Sequence, residues 1–276
     1  MRFAMVAGKR APPSPGLNGT CPACESPVIA RCGTERVHHW AHRSMRNCDS
    51  WWEPETEWHR SWKDKFPHDW QETIKFAANG EKHIADVCCP NGAVIEFQHS
   101  HLRPEERAAR ERFYGNMVWV VDGLRLSRDL PRFRSGAGDL STGPIAGVFL
   151  TRFPEEILPS KWVHCPVPVL FDFAPHNKPV EELEPIERPL CCLLPGRVFS
   201  QAVILRLSRE DFITWAQNKP VPIPTRKILE MVYQSIVVRA AQEKRASAAR
   251  VHRLALVTQA PRFPHSRRYK RRFKRH

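Results

Sequence analysis

Residues 83–100 read HIADVCCPNGAVIEFQHS, with Asp86 inside one apolar run and Glu96 and Gln98 inside the next. Strand alternation places Glu96 and Gln98 on one face, apart from the apolar face of Ile95 and Phe97. Between the runs, Pro90-Asn91-Gly92 suits a three-residue loop, a type I turn closed by glycine in the left-handed conformation. That loop pairs Cys89 with Ala93, which sets Asp86 opposite Glu96 and Ile84 opposite Gln98. Cross-strand β-carbons lie about 5 Å apart, so two bare carboxylates there would repel. A divalent cation between them removes the conflict, and an oxygen pair suits Mg2+ or Mn2+, which keep waters and accept phosphate oxygens. An ion pair with Arg110 or Lys82 is the structural alternative. Upstream, ETEWHRSWK spaces Glu55, His59 and Lys63 at i, i+4 and i+8 on one side of a helix. Glu55 is a candidate further carboxylate for the metal or its surroundings, and His59 a candidate for positioning water; a solvated face of ordinary ion pairs would also account for them.

A second set of ligand-type residues lies near the N-terminus. Cys21 and Cys24 in CPAC, with His39 and His42 in HHWAH, give C-x2-C-x14-H-x2-H. Two thiolates and two imidazoles complete a tetrahedral zinc shell, and four protein ligands leave no open position for water, so the expectation is a structural knuckle. His38 in place of His39, or recruitment of Cys32 or Cys48, fits the spacing too. The H-x2-H spacing is shorter than in a base-reading finger.

The elements that must position these residues follow from periodicity. Residues 51–123 predict a helix from about Glu53 to Phe66, strands over Glu72–Ala78, Ile84–Cys89 and Ala93–His99, a helix over Pro104–Asn116, and a strand over Met117–Val121. Pro104 followed by Glu105 and Glu106 is a sound helix opening. Trp51, Trp52, Trp58 and Trp62 read as core or interface rather than as a base-stacking platform. Around this segment, residues 1–50 are rich in Cys and His, residues 124–225 are rich in proline with no role assigned, and residues 226–276 turn from helical to basic. In the third region WVHCPVPVLFDF reads as extended chain whose prolines demote it to an edge position.

The 276 residues carry a formal charge of +14, and twelve of the Lys and Arg follow Glu243, the last acidic residue. Nearly all the excess therefore sits in the tail, where RRYKRRFKRH interleaves aromatics with cations and suits a nucleic-acid backbone without sequence specificity. No run approaches the roughly 18 apolar residues of a membrane span, and MRFAMVAGKR lacks the pattern of a secretory signal, so a cytoplasmic protein is expected. Nine cysteines, clustered near histidines, fit thiols or metal ligands better than a disulfide framework.

Taken in order, CPAC…HWAH, ETEWHRSWK, the ADV run ending at Val87, VIEFQHS, the segment Arg110–Tyr114 and MVWVVDG resemble the competence protein CoiA-like family, a branch of the PD-(D/E)xK nuclease superfamily, over residues 15–123. The resemblance implies an α/β, restriction-endonuclease-like αβββαβ core with a mixed sheet flanked by helices, an N-terminal zinc knuckle and a basic C-terminal extension. It also implies metal-dependent cleavage of DNA, in uptake, recombination or processing, with Mg2+ held by Asp86 and Glu96. Gln98 stands where the superfamily carries lysine, as it does in the CoiA-like branch, and would orient the attacking water. Two other readings share these residues: a non-catalytic DNA-binding accessory protein that keeps the fold, and an RNA-directed or defence-type nuclease.

Overall fold

The computed structural model describes residues 1–44 and 48–258, so the aromatic-basic segment RRYKRRFKRH lies outside the described residues. Residues 1–233 make one compact unit and residues 234–276 a second. Of the second unit, the described part is the continuation of one helix.

Short strands β1 (Ala4–Val6), β2 (Lys9–Ala11), β3 (Asn18–Thr20), β4 (Pro27–Arg31) and β5 (His39–His42) form an antiparallel sheet in the order β2-β1-β3-β4-β5. Its small core is built on Ala4, Val28, Trp40 and Cys21. Next come α1 (Glu57–Lys63), β6 (Gln71–Phe76), β7 (Lys82–Cys88), β8 (Val94–Gln98), α2 (Pro104–Tyr114) and β9 (Met117–Asp122). The order α-β-β-β-α-β expected from periodicity is therefore present. Helix α1 is shorter than expected because Thr56, not a residue near Glu53, caps it, its hydroxyl accepting the His59 N–H at 3.2 Å. Helix α2 starts on Pro104, ends at Gly115 (φ 65°) and supplies the crossover that lets β8 and β9 run parallel.

The sheet does not stop at residue 123. Helix α3 (Asp129–Gly136) is followed by β10 (Ser141–Thr142), β11 (Val148–Thr151), β12 (Val169–Asp172), β13 (Leu190–Val198) and β14 (Gln201–Leu207), then α4 (Arg209–Asn218) and α5 (Thr225–Thr258). Together β6–β14 make one nine-stranded mixed sheet, β10-β11-β14-β13-β12-β9-β8-β7-β6. The edge position expected for WVHCPVPVLFDF is corrected: β12 lies inside the sheet, parallel to β9 and antiparallel to β13. Its prolines, Pro166 and Pro168, precede the strand, where a missing N–H costs no ladder bond, and the Pro168 carbonyl still accepts the Trp119 N–H at 3.0 Å.

Strands β8, β9 and β12 are buried on both faces, as parallel strands covered by helices should be. This overturns the expectation that Glu96 and Gln98 lie away from the interior: they are only 3% and 2% exposed. On the opposite face of β8, Phe97 packs against Trp58, Trp62 and Phe66, with the Trp62 ring stacked at 5.7 Å. Burial of each such side chain stabilises by about 1.5–3 kcal/mol, which fastens a seven-residue helix that could not persist alone. Among the described residues, no helix is long and apolar enough to cross a membrane.

Candidate functional site

The hairpin between β7 and β8 has the expected loop. Gly92 N–H donates to the Cys89 carbonyl at 2.9 Å, Cys89 N–H to the Ala93 carbonyl at 2.8 Å, and Gly92 has φ 82°. Val87 pairs with Ile95 and Cys88 with Val94, and this register continued sets Asp86 opposite Glu96. The backbone ladder gives way there to side chains. Asp86 N–H donates to Glu96 Oε1 at 3.1 Å, and Phe97 N–H donates to Asp86 Oδ2 at 3.0 Å. The two carboxylates thus open the hairpin while each caps the other strand.

They line a cavity of about 70 Å³ with Asp49, Glu53, Glu55 and Glu72. That is room for an ion and several waters, not for a nucleotide. The concentration of acid is balanced from α1 and α2. Lys63, 2% exposed, lies 3.1 Å from Glu55, 3.1 Å from Glu72 and 3.8 Å from Asp86. Burial works against its charge, but Glu72, Glu55 and Asp86 outweigh it and raise its pKa. Arg110 Nη1 is 3.2 Å from Glu96 Oε2, so the ion pair weighed against metal binding is present in part, while Lys82 instead reaches the Ala23 carbonyl.

The electrostatics divide the acids. Burial opposes ionisation of Asp86, yet His59 and then Lys63 hold it down to about 2. Burial likewise opposes Glu55, which Lys63 and Arg60 bring to about 2. Glu96 goes the other way: burial, then the Asp86 charge, push it up to about 8 against Arg110. Ionisation is thus favoured at Asp86 and disfavoured at Glu96, the division expected of two buried acids this close.

His59 Nε2 lies 2.8 Å from Asp86 Oδ2, and its ring packs 5.9 Å from Phe97. Through Nε2 it therefore fixes Asp86, and it lines the same cavity. Glu55 precedes the helix instead of riding on it, and reaches the site through Lys63 and Arg60. Gln98 shares the face of Glu96 but does not touch Asp86 or Glu96; its Nε2 donates to both oxygens of Glu53 at 3.0 Å and to Ser100, and its Oε1 is buried without a partner. Glu53 is in turn 3.4 Å from Arg110. Glu53, Asp49 and Glu72 were not foreseen because each arrives from outside the motifs. Glu72 alone carries a conformational signal, φ 47°, which lifts its carboxylate to Lys63 and to the N–H groups of Arg2 and Phe3.

The N-terminal ligand set also changes. Cys21, Cys24, His42 and Cys48 bring four ligand atoms within 4.8 Å of one another, the one such group of three or more among the described residues. Cys21 and Cys48 sulfurs are 3.6 Å apart, and Cys24 Sγ is 3.3 Å from His42 Nε2. Tetrahedral zinc with bonds near 2.3 Å needs edges of about 3.8 Å, so these residues fit it. His39 is excluded by parity: three residues apart on β5, His39 and His42 point to opposite faces, and His39 Nδ1 lies instead 3.0 Å from the Val37 carbonyl. Cys48 replaces it.

The candidate zinc cluster and the carboxylate pocket are joined by one residue. Asp49, next to Cys48 and 7% exposed, takes the Ile84 N–H at 2.7 Å, the Trp51 N–H at 2.9 Å and His83 Nδ1 at 2.8 Å. Trp51 stacks on His83 at 3.2 Å, and its carbonyl accepts from Arg110. The segment after Cys48 is thus a wall of the pocket. Trp58 and Trp62 are buried under Asp172, to which both donate; Trp52 is exposed.

Residues 19–50 match the family model of the competence protein CoiA N-terminal domain. No curated protein matches the chain. No solved structure matches it either.

Proposed function

We propose that this chain is a divalent-metal-dependent nuclease that cleaves DNA phosphodiester bonds, of CoiA-like type, acting in DNA uptake, recombination or processing. The observation that carries the reading is the pair Asp86 and Glu96, face to face across an opened hairpin in a buried cavity. The CoiA match over residues 19–50 supports the competence connection. The donor set fits Mg2+ or Mn2+: two close carboxylates, one of which can exchange a proton for a cation, with space for water.

When bound, the ion would polarise a phosphate oxygen and acidify a water. The protein's share is positional. His59 and the Phe97 N–H hold Asp86 Oδ2, with Oδ1 3.8 Å from Lys63, while Arg110 and the Asp86 N–H hold Glu96. Lys63 keeps Asp86 and Glu55 ionised. Gln98 acts through Glu53 and Arg110 rather than directly on water.

The test is nicking of supercoiled plasmid and cutting of single-stranded DNA and RNA oligonucleotides with Mg2+ or Mn2+. Wild type should cut DNA, and Asp86→Asn and Glu96→Gln should each lose at least a hundredfold while keeping the wild-type circular dichroism spectrum. Equal cutting by all three proteins would overturn the assignment. DNA binding without cutting by wild type would favour the accessory reading, and cutting of RNA alone the RNA-directed one.

A further inference from the structure

Close to the acidic pocket the charge reverses. Arg107 lies on α2 one turn before Arg110, which reaches Glu96. Its guanidinium sits 5.7 Å from the Trp162 ring, and it donates to the Lys161 carbonyl. Lys161 Nζ is 5.2 Å from the same ring. Lys161 and Arg125 are half-buried, and neither has an ion-pair or side-chain hydrogen-bond partner among the described residues. Burial lowers the Lys161 pKa first, and the Arg125 and Arg107 charges lower it further against the opposing charges of Asp129 and Glu53.

The nearby acids other than Asp129 are already engaged. Glu111 holds Arg107 at 3.3 Å and the Trp119 indole N–H at 3.1 Å; buried Asp129 lies 3.9 Å from Arg132; Glu53 holds Gln98, Ser100 and Arg110. Trp162 Nε1 is buried without an acceptor. Cations therefore gather here in excess of the acids, with Asp129 Oδ1 the buried carboxylate oxygen left without a hydrogen bond among them. Half-buried like charges repel more strongly than exposed ones, and an anion relieves them.

We infer that Arg107, Arg125 and Lys161 form a seat for the phosphodiester backbone of the nucleic acid, beside the pocket of Asp86 and Glu96. The inference deepens the nuclease reading and rests on it for the choice of DNA. Trp162 is 1% exposed and cannot stack on a base, so the seat grips phosphates and carries no sequence preference. A strand held there presents a neighbouring phosphate to a cavity too small to admit a nucleotide.

The test is salt-dependent binding of labelled single-stranded DNA, duplex DNA and RNA to the full chain, in an Asp86→Asn background that silences cutting. Each phosphate contact contributes roughly 0.7–0.9 to the slope of log K against log salt. The triple variant Arg107→Gln, Arg125→Gln, Lys161→Gln should therefore flatten the DNA slope by about two to three. Because Arg107 also holds Glu111, Lys161→Met alone serves as the variant with no partner to lose, and should flatten the slope by about one. Unchanged slopes in both variants, or no binding of any nucleic acid by the parent, would overturn the seat. A flattened slope for RNA alone would keep the seat and remove DNA as its ligand. Failure of the unsubstituted chain to cut DNA, with the slopes flattened as expected, would count against the nuclease reading and leave the seat standing.

Discussion

Glu96 and Asp86 titrate on opposite sides of their ordinary values, and the consequence is measurable at the level of single residues. Glu96, raised to about 8, keeps its proton in the fold at pH values where the unfolded chain has lost it. Its favourable contribution is full below the ordinary glutamate value near 4.5 and is lost as pH rises toward 8. Asp86 and Glu55, both near 2, contribute above their ordinary values and lose that contribution as pH falls toward 2. The metal-free protein should therefore lose Tm from roughly pH 5 to pH 8.5, and Asp86→Asn should flatten that fall by removing the charge that raises Glu96. A Tm independent of pH in the wild type across that range would contradict the raised Glu96. Lys63→Met should destabilise by about 3–5 kcal/mol, seen as a lower urea midpoint at constant slope, because Glu55 and Glu72 lose a buried partner. A change under about 1 kcal/mol would mean that water reaches those acids.

At the scale of elements, the loop and the strand parity decide what the residues can do. The Asp86–Glu96 juxtaposition was legible in the sequence because Pro90-Asn91-Gly92 admits one short loop and the loop fixes the register. Gly92 has φ 82° and open space where a β-carbon would stand, so Gly92→Ala meets backbone strain alone and should cost about 1–2 kcal/mol with metal affinity retained. Inserting one residue in the loop instead turns Asp86 to the other face and should abolish metal binding. Retained binding in the insertion variant would refute the register. The candidate zinc ligands were legible only in part: Cys21, Cys24 and His42 followed from spacing, whereas Cys48 arrives by a chain path that spacing does not record. Strand parity across HHWAH would have ruled out His39. Through Asp49, the Cys48 segment should transmit zinc loss to β7: chelation should speed amide exchange at Ile84, whose N–H donates to Asp49. Unchanged exchange there would separate the two sites.

At the scale of the molecule, composition located the charge but not its use. The helix-strand order of residues 51–123 was readable from periodicity, yet five strands of the nine-stranded sheet come from residues 124–225, where proline counted against strand. What proline forbids is a missing donor inside a ladder, and Pro166 and Pro168 stand just ahead of β12. The two-sided burial of β8 was likewise invisible locally, because it depends on parallel neighbours and on α2 folding over the Glu96 face. Tertiary context also brings in Asp49, Glu53 and Glu72, which no spacing rule connects to Asp86. Joint binding of a divalent cation by Asp86 and Glu96 is tested most directly by calorimetric titration of the zinc-loaded chain with Mn2+ at about pH 6, 7 and 8, in buffers of different ionisation enthalpy. One equivalent should bind, more tightly as pH rises, with release of up to one proton as the cation displaces the one on Glu96, and Asp86→Asn and Glu96→Gln should each abolish it. Binding that is indifferent to pH and survives both substitutions would contradict it.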